Sequence, residues 1–320
     1  MRNGVTDQLT KFHATNNALA CIETLDPDYA TENWTSIDEG VTFSVICGAE
    51  EQDVWYVATT GSDGSGNGTQ ESPFATIQTG INAAGNGNTV QVAAGTYVEN
   101  INYNGKNIAV LGENRETTII DGDSLSNVVR FENDENENAV LSGFTLTNGR
   151  AVQDYMYGRG GGICNLSSPT LSDLTIIGNT ALGGGGGMYI HSTSSSIITD
   201  VDIIDNITEA WRGGGIYYYG GNATLSNMKI IGNQAGNGGG IGFQEVTEDT
   251  LSMDNIVIAG NTALEGAGIV LNGGNFKFEN LTIAENISTN GSSGGIMFAD
   301  NYSLVSELIL SNSIVYDNSG

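Results

Sequence analysis

An all-β solenoid of stacked parallel strands is the fold class this sequence predicts, and three features predict it. Alternating apolar segments that close on an asparagine recur at Leu171–Asn179, Ile198–Asn206, Leu225–Asn233 and Met253–Asn261. The closing asparagines at 179, 206, 233, 261 and 286 step by about 27 residues, a solenoid-scale period. A second marker keeps the same beat: Gly160-Gly161-Gly162-Ile163, Gly185-Gly186-Gly187-Met188, Gly213-Gly214-Gly215-Ile216, Gly238-Gly239-Gly240-Ile241, Gly266-Ala267-Gly268-Ile269 and Gly294-Gly295-Ile296. The third feature is composition. With 46 Gly and 3 Pro in 320 residues, and glycine in spaced clusters rather than every third position, neither a flexible linker nor collagen fits. Helical repeats of similar period are excluded, because glycine triplets and β-branched alternation oppose helix.

Each turn follows from this pattern. Inward Ile, Leu and Val stack on their equivalents in the next turn, about 4.8 Å away. Asparagines at a corner can bond their neighbours above and below, as a ladder. The glycine cluster permits positive φ and close backbone approach at a tight corner. Ile203 is expected to point inward.

The solenoid has a distinct opening. Val54-Trp55-Tyr56-Val57-Ala58 alternates as a strand, and Gly61–Gly68 is a polar loop. Ser72–Ala84 reads as a short amphipathic helix with Ser72 as its cap and Phe74, Ile77 and Ile81 on one face. Thr89–Tyr97 is a strand followed by a turn. An amphipathic helix here covers the open apolar end of the stack. This run, from Trp55 to Gly112, resembles the opening of the pectin lyase-like right-handed parallel β-helices. The resemblance implies a right-handed single-stranded parallel β-helix over residues 55–320. The recurring G-N-x-A and G-G-G-I elements are similar to the repeats of chlamydial polymorphic outer-membrane proteins, with Ile where those usually carry Phe.

Residues 1–48 differ. Phe12–Ile22 has a leucine-rich-repeat cadence, followed by Asn33-Trp34-Thr35-Ser36-Ile37-Asp38 and Phe43-Ser44-Val45-Ile46-Cys47. The segment resembles the last repeat and cap of bacterial extracellular leucine-rich repeat proteins. Residues 49–54 then form a polar linker. One repeat with its cap cannot bury a core alone, and residue 320 falls in mid-repeat, so the natural chain is expected to extend beyond both ends. Cys21 and Cys47 flank this segment and are candidates for a disulfide, or for two buried thiols; Cys164 stands alone.

Composition excludes some partners. Ten Lys+Arg against 37 Asp+Glu give a net charge of −27, so nucleic acid and anionic membrane surfaces are poor partners. No apolar run reaches the ~20 residues of a membrane span, and no export signal is visible at Met1-Arg2-Asn3-Gly4. An extracellular or bacterial cell-surface setting is expected.

No constellation carries clear chemistry. His13 and His191 lie in different modules, so a triad or histidine metal site is not expected, and His191 reads as a strand-end surface residue. The glycine clusters lack the lysine of a phosphate loop. The pectin lyase-like resemblance implies Arg, Lys or Asp groups on one exterior face. Here Arg159 and Arg212 each precede a glycine triplet, two turns apart, with Tyr155, Tyr157, Trp211, Tyr217 and Tyr219 near them in sequence. Tyr157, Arg159, Trp211, Arg212 and Tyr217 are therefore the candidate glycan-binding set, against a packing role at an irregular turn. Asp121 and Asp123 are the candidate calcium ligands, although D-x-D alone lacks the further oxygens calcium requires. No other cofactor is expected. The expected function is a non-catalytic stalk, adhesin or glycan-binding surface; the alternative is a polysaccharide lyase or glycoside hydrolase acting on an acidic polysaccharide.

Overall fold

The computed structural model describes residues 12–16, 19–24, 27–44, 52–152, 158–209, 212–246, 250–299 and 305–320. From Val54 onward the described residues form a parallel β-solenoid with three sheets along its length. The first and longest runs from Val54–Val57 to Val305–Ser311, each strand pairing with its equivalent one turn on. The second runs from Ile101–Asn102 to Ile296–Phe298, and the third, of short strands, from Arg150–Ala151 to Ile287–Ser288.

Register explains the sequence period. Within the first sheet Tyr97, Ile120, Leu146, Ile176, Ile203, Ile230, Ile258 and Ile283 stack as Cα partners from turn to turn. All of them are buried, Ile203 completely, so the expected inward register holds. Because strand side chains alternate with a period of two, that one row fixes which face every neighbour occupies. Within the core, Tyr218, Phe243, Phe276 and Phe278 form a chain of ring contacts.

The corner asparagines form the expected ladder. Asn206 Nδ2 and backbone N–H both donate to Asn233 Oδ1 at 3.0 and 2.9 Å, and Asn233 does the same to Asn261 at 3.0 and 2.9 Å. The second amide hydrogen of each reaches back to a carbonyl, as Asn233 Nδ2 does to Ile203 O at 2.9 Å. Two donors and two acceptor sites per side chain are thereby used, which permits full burial of an amide. The column continues from Asn179 to Asn318.

The glycine triplets close against this ladder. The first glycine of each, such as Gly213 with φ of 67°, is left-handed. The third packs inward: a Cβ at Gly215 would lie 2.8 Å from Gly240 O, 2.9 Å from Ile230 Cγ2 and 3.2 Å from Asn233 Nδ2.

The opening of the solenoid differs from expectation in one respect. The helix spans Ile77–Ala83, and its cap is Thr76, whose side chain accepts from Thr79 N. Ser72–Thr76 is non-helical instead, with Phe74 bridged to Val57. Asp63 takes the amides of Ala75 and Thr76 at 2.8 and 3.1 Å, while Glu99 takes those of Ile77 and Gln78 at 2.8 and 3.0 Å. Two carboxylates at the positive end of the helix outcompete the serine expected there. At the other end Lys106 Nζ donates to Ile81 O, Asn82 O and Ala84 O at 3.0, 2.8 and 2.7 Å. Ile77 and Ile81 are buried against the first turns, as their helical spacing predicts, whereas Phe74, expected on the same helical face, is buried from its bridge to Val57.

Within the N-terminal segment, His13–Ala14 pairs in parallel with Ser36–Ile37, and Cys21–Glu23 with Thr42–Ser44. Trp34 packs between the rings of Phe12 and Phe43, with centroids at 4.6 and 5.6 Å. Cys21 is disulfide-bonded; Cys47 lies outside the described residues. No helix among the described residues is long and apolar enough to cross a membrane.

Candidate functional site

The outward face of the second sheet carries the groups of chemical interest. Strand alternation sets them out in two rows. Cys164, Tyr189, Tyr217, Gly242 and Val270 are register partners in the first row. Two residues further along each strand, alternation places Leu166, His191, Tyr219, Gln244 and Asn272 in the second. Arg159 and Arg212 enter from the preceding corner. Their backbones bridge Gly184 and Asn237, and Gly185 N bonds Arg212 O at 3.1 Å, which confirms their placement two turns apart.

Arg159 is the centre of the face. Its guanidinium lies 5.0, 5.3 and 5.9 Å from the ring centroids of Tyr189, Tyr217 and Tyr219, within cation–π range of all three. Its Nη1 also donates to the Tyr189 hydroxyl at 2.8 Å. The rings support one another: Tyr189 to Tyr217 is 5.5 Å, Tyr217 to Tyr219 is 6.3 Å, and His191 stacks on Tyr219 at 6.1 Å. The Tyr217 hydroxyl donates to Gln244 Oε1 at 2.8 Å and that of Tyr219 to Glu245 Oε2 at 2.7 Å. Arg159, His191, Tyr219 and Gln244 are half-buried and Glu245 is exposed, while Tyr189 and Tyr217 are buried beneath them.

Burial sets the electrostatics. Desolvation pushes the phenols of Tyr189 and Tyr217 up, against the opposing pull of Arg159. Desolvation, and then the charge of Arg159, holds the His191 imidazole below its ordinary range. Cys164, buried under the rings, has its thiol pushed up to about 12, chiefly by desolvation. A neutral imidazole and protonated hydroxyls beside one fixed cation make a face that donates and accepts hydrogen bonds and offers aromatic surface.

Of the residues singled out from sequence, Arg159, Arg212 and Tyr217 come together here. Tyr157 and Trp211 lie outside the described residues. Tyr189 and His191 were missed as members, although His191 sits on the face rather than merely at a strand end. The signal was present: Tyr189 and Tyr217, like His191 and Tyr219, are 28 residues apart and share a face by alternation. Asp121, the first of the two candidate calcium ligands with Asp123, is engaged in local hydrogen bonds. Asp121 Oδ1 accepts from Asp123 N at 2.9 Å and its Oδ2 from Asn148 Nδ2 at 2.9 Å. Among the described residues no group of three or more His, Cys, Asp or Glu side chains is placed to hold a metal.

The geometry agrees with known proteins. Residues 167–320 match the family model described as "Right handed beta helix region". The fold is a right-handed parallel β-helix. Residues 59–105, which take in the polar loop, the helix and the short strands after it, match the family "Protein of unknown function (DUF1565)". Pectate lyase Pel9A shares the fold at a TM-score of 0.53 and 16% identity, over 84% of this chain and 78% of that one. The pectin methylesterase from carrot aligns at a TM-score of 0.49 and 15% identity, over 82% of each chain. The uncharacterized protein YwoF of Bacillus subtilis is 29% identical over 145 residues, 45% of this chain and 27% of its own length. The chain therefore spans about a quarter of the length of that curated relative.

Proposed function

We propose that this chain is the β-helix module of an exported surface protein and that the outward face of its second sheet binds an extended glycan without cleaving it. The observation that carries the reading is the Arg159 guanidinium held over the rings of Tyr189, Tyr217 and Tyr219, beside the half-exposed His191–Tyr219 stack. Sugars present apolar faces for aromatic stacking and hydroxyls for a cation and for Gln244 and Glu245. The side chains are already fixed by one another, so binding loses little further side-chain entropy. A straight sheet face several turns long suits a linear chain better than a compact ligand. In the N-terminal segment, parallel pairs about one 22-residue repeat apart support the leucine-rich-repeat reading, and with it a modular surface protein. Similarity to the lyase Pel9A reaches the fold alone, so the enzymatic alternative is tested rather than inherited.

The test is a panel of neutral and acidic polysaccharides, scored by affinity electrophoresis and by the ultraviolet absorbance of unsaturated products, with and without calcium. Retardation by at least one polysaccharide is expected, weakened about tenfold or more in Arg159→Ala protein of unchanged melting temperature, with no product formed. Cleavage abolished by Arg159→Ala or Arg212→Ala would replace this reading by the lyase. Absence of any binding would leave the face a packing device.

A further inference from the structure

A groove opens near the helix-covered end of the solenoid, where the chain passes into the first sheet. It holds about 510 Å³, within the ~300–1,000 Å³ in which proteins hold small ligands. Asn86, Asn88, Asn107, Asn136 and Asn138 line it, contributed by three successive turns whose strands pair in register. Its floor carries little bulk. Ala109 points outward beside the buried Val110, and a Cβ on Gly87 would meet nothing within 4 Å.

Four of the five carboxamides are held by their oxygens. Asn86 Oδ1 accepts from Asn107 N, and Asn107 Oδ1 from Asn136 N, both at 2.8 Å. Asn136 Oδ1 accepts from Asn138 N at 2.9 Å. Asn88 Oδ1 accepts from the buried Trp55 indole at 3.1 Å and from Gly85 N at 2.8 Å. Turning any of these amides over would take the acceptor from those N–H groups, so each is fixed in one sense. Among the described residues none of the four Nδ2 groups has an acceptor. The groove therefore presents a row of pre-set N–H donors over three turns, about 10 Å along the axis. Asn138, exposed and with its own carboxamide unbonded among the described residues, adds a donor and an acceptor.

Charge decides which oxygens suit these donors. The lining holds no charged side chain. Lys106, next to Asn107, turns its ammonium to the carbonyls at the helix end, while Glu137 is exposed between Asn136 and Asn138. With a net charge of −27 on the chain, an acid is repelled. Hydroxyl, ring and glycosidic oxygens accept hydrogen bonds without charge.

We propose that this groove is a second binding site, for a short neutral oligosaccharide lying along the solenoid axis. The four fixed amides donate to its oxygens, and Asn138 exchanges hydrogen bonds with a hydroxyl. The site is independent of the Arg159 face and does not rest on the reading given to that face.

Calorimetric titration of the whole chain with cellotetraose, mannotetraose, xylotetraose and tetragalacturonate tests this. At least one neutral tetrasaccharide binds, and tetragalacturonate does not compete for its site. Ala109→Tyr, a residue suited to a strand, fills the floor and abolishes that binding. Asn138→Ala breaks no hydrogen bond of its own side chain, so it keeps the melting temperature and weakens binding about threefold or more; it keeps the test decisive if Ala109→Tyr does not fold. Binding also shifts the indole N–H resonance of Trp55, identified by its loss in Trp55→Phe. Arg159→Ala leaves tetrasaccharide binding intact, which separates this groove from the face described above. The proposal is overturned if no neutral tetrasaccharide binds, or if binding survives unchanged in folded Ala109→Tyr or in Asn138→Ala.

Discussion

Asn233 shows how much rests on a single side chain. It accepts two hydrogen bonds from Asn206 and donates to Asn261 and to Ile203 O. In Asn233→Ala the Asn206 backbone and side-chain N–H groups lose their acceptor in a buried corner. At about 1–3 kcal/mol per unsatisfied buried group, the loss is about 3–5 kcal/mol, to be read from denaturant unfolding of the two proteins. His191 gives a second test at this scale. Its pKa is depressed in the folded protein by desolvation and by Arg159, so the unfolded chain binds the proton more readily. The stability this group contributes is present above its unfolded pKa and is lost as pH falls through that value toward the folded one. Melting temperatures of wild type and His191→Gln are expected to converge in acid and diverge above about pH 7, with wild type the higher.

At the scale of elements, the glycine-triplet corner and the ladder corner are one unit, since the third glycine faces the asparagine. Gly215→Ala forces a methyl group against Gly240 O and Ile230 Cγ2. Overpacking of this kind costs about 1–3 kcal/mol, and thermal melts should place Gly215→Ala well below an alanine substitution at the exposed Gly64, whose φ is not left-handed. These corners were legible in the sequence because they recur: a period tells which residues are equivalent, and alternation tells which point inward. The helix start was not legible. Ser72 has the local chemistry of a cap, but Asp63 and Glu99, 13 and 22 residues from the amides they hold, take the helix amides instead. Only the folded register brings those carboxylates to it. The same limit applied to the outward face. Arg159 and Arg212 stood out by their place before the triplets, whereas the burial of Arg212 depends on Gly242 lying under it, where a side chain would meet Arg212 Cβ at 2.9 Å.

Over the whole molecule, charge and topology act together. A net charge of −27 on one stack repels itself, and few cations are available to interrupt it. Arg115 is one that does: it reaches from an early turn to Asp173 and Asp202 at 3.4 and 3.6 Å, and Lys229 meets Asp202 at 3.4 Å. These pairs are partly exposed and individually weak. Screening is therefore expected to help more than it harms. The melting temperature should rise between low salt and about 0.15 M sodium chloride, where the Debye length falls to about 8 Å, and a fall would show that the pairs outweigh the repulsion.

The asparagine column has a mechanical consequence. It runs along the axis from Asn179 to Asn318, and its hydrogen bonds, like those of the sheets, join each turn to the turns beside it. A load applied along the axis therefore meets every turn in series, and the weakest interface gives way first. Each turn that peels away releases about 27 residues, roughly 90 Å of extended chain, before the next is loaded. A stack of this kind behaves as a shock absorber of many small, repeatable steps rather than as a rod that snaps once.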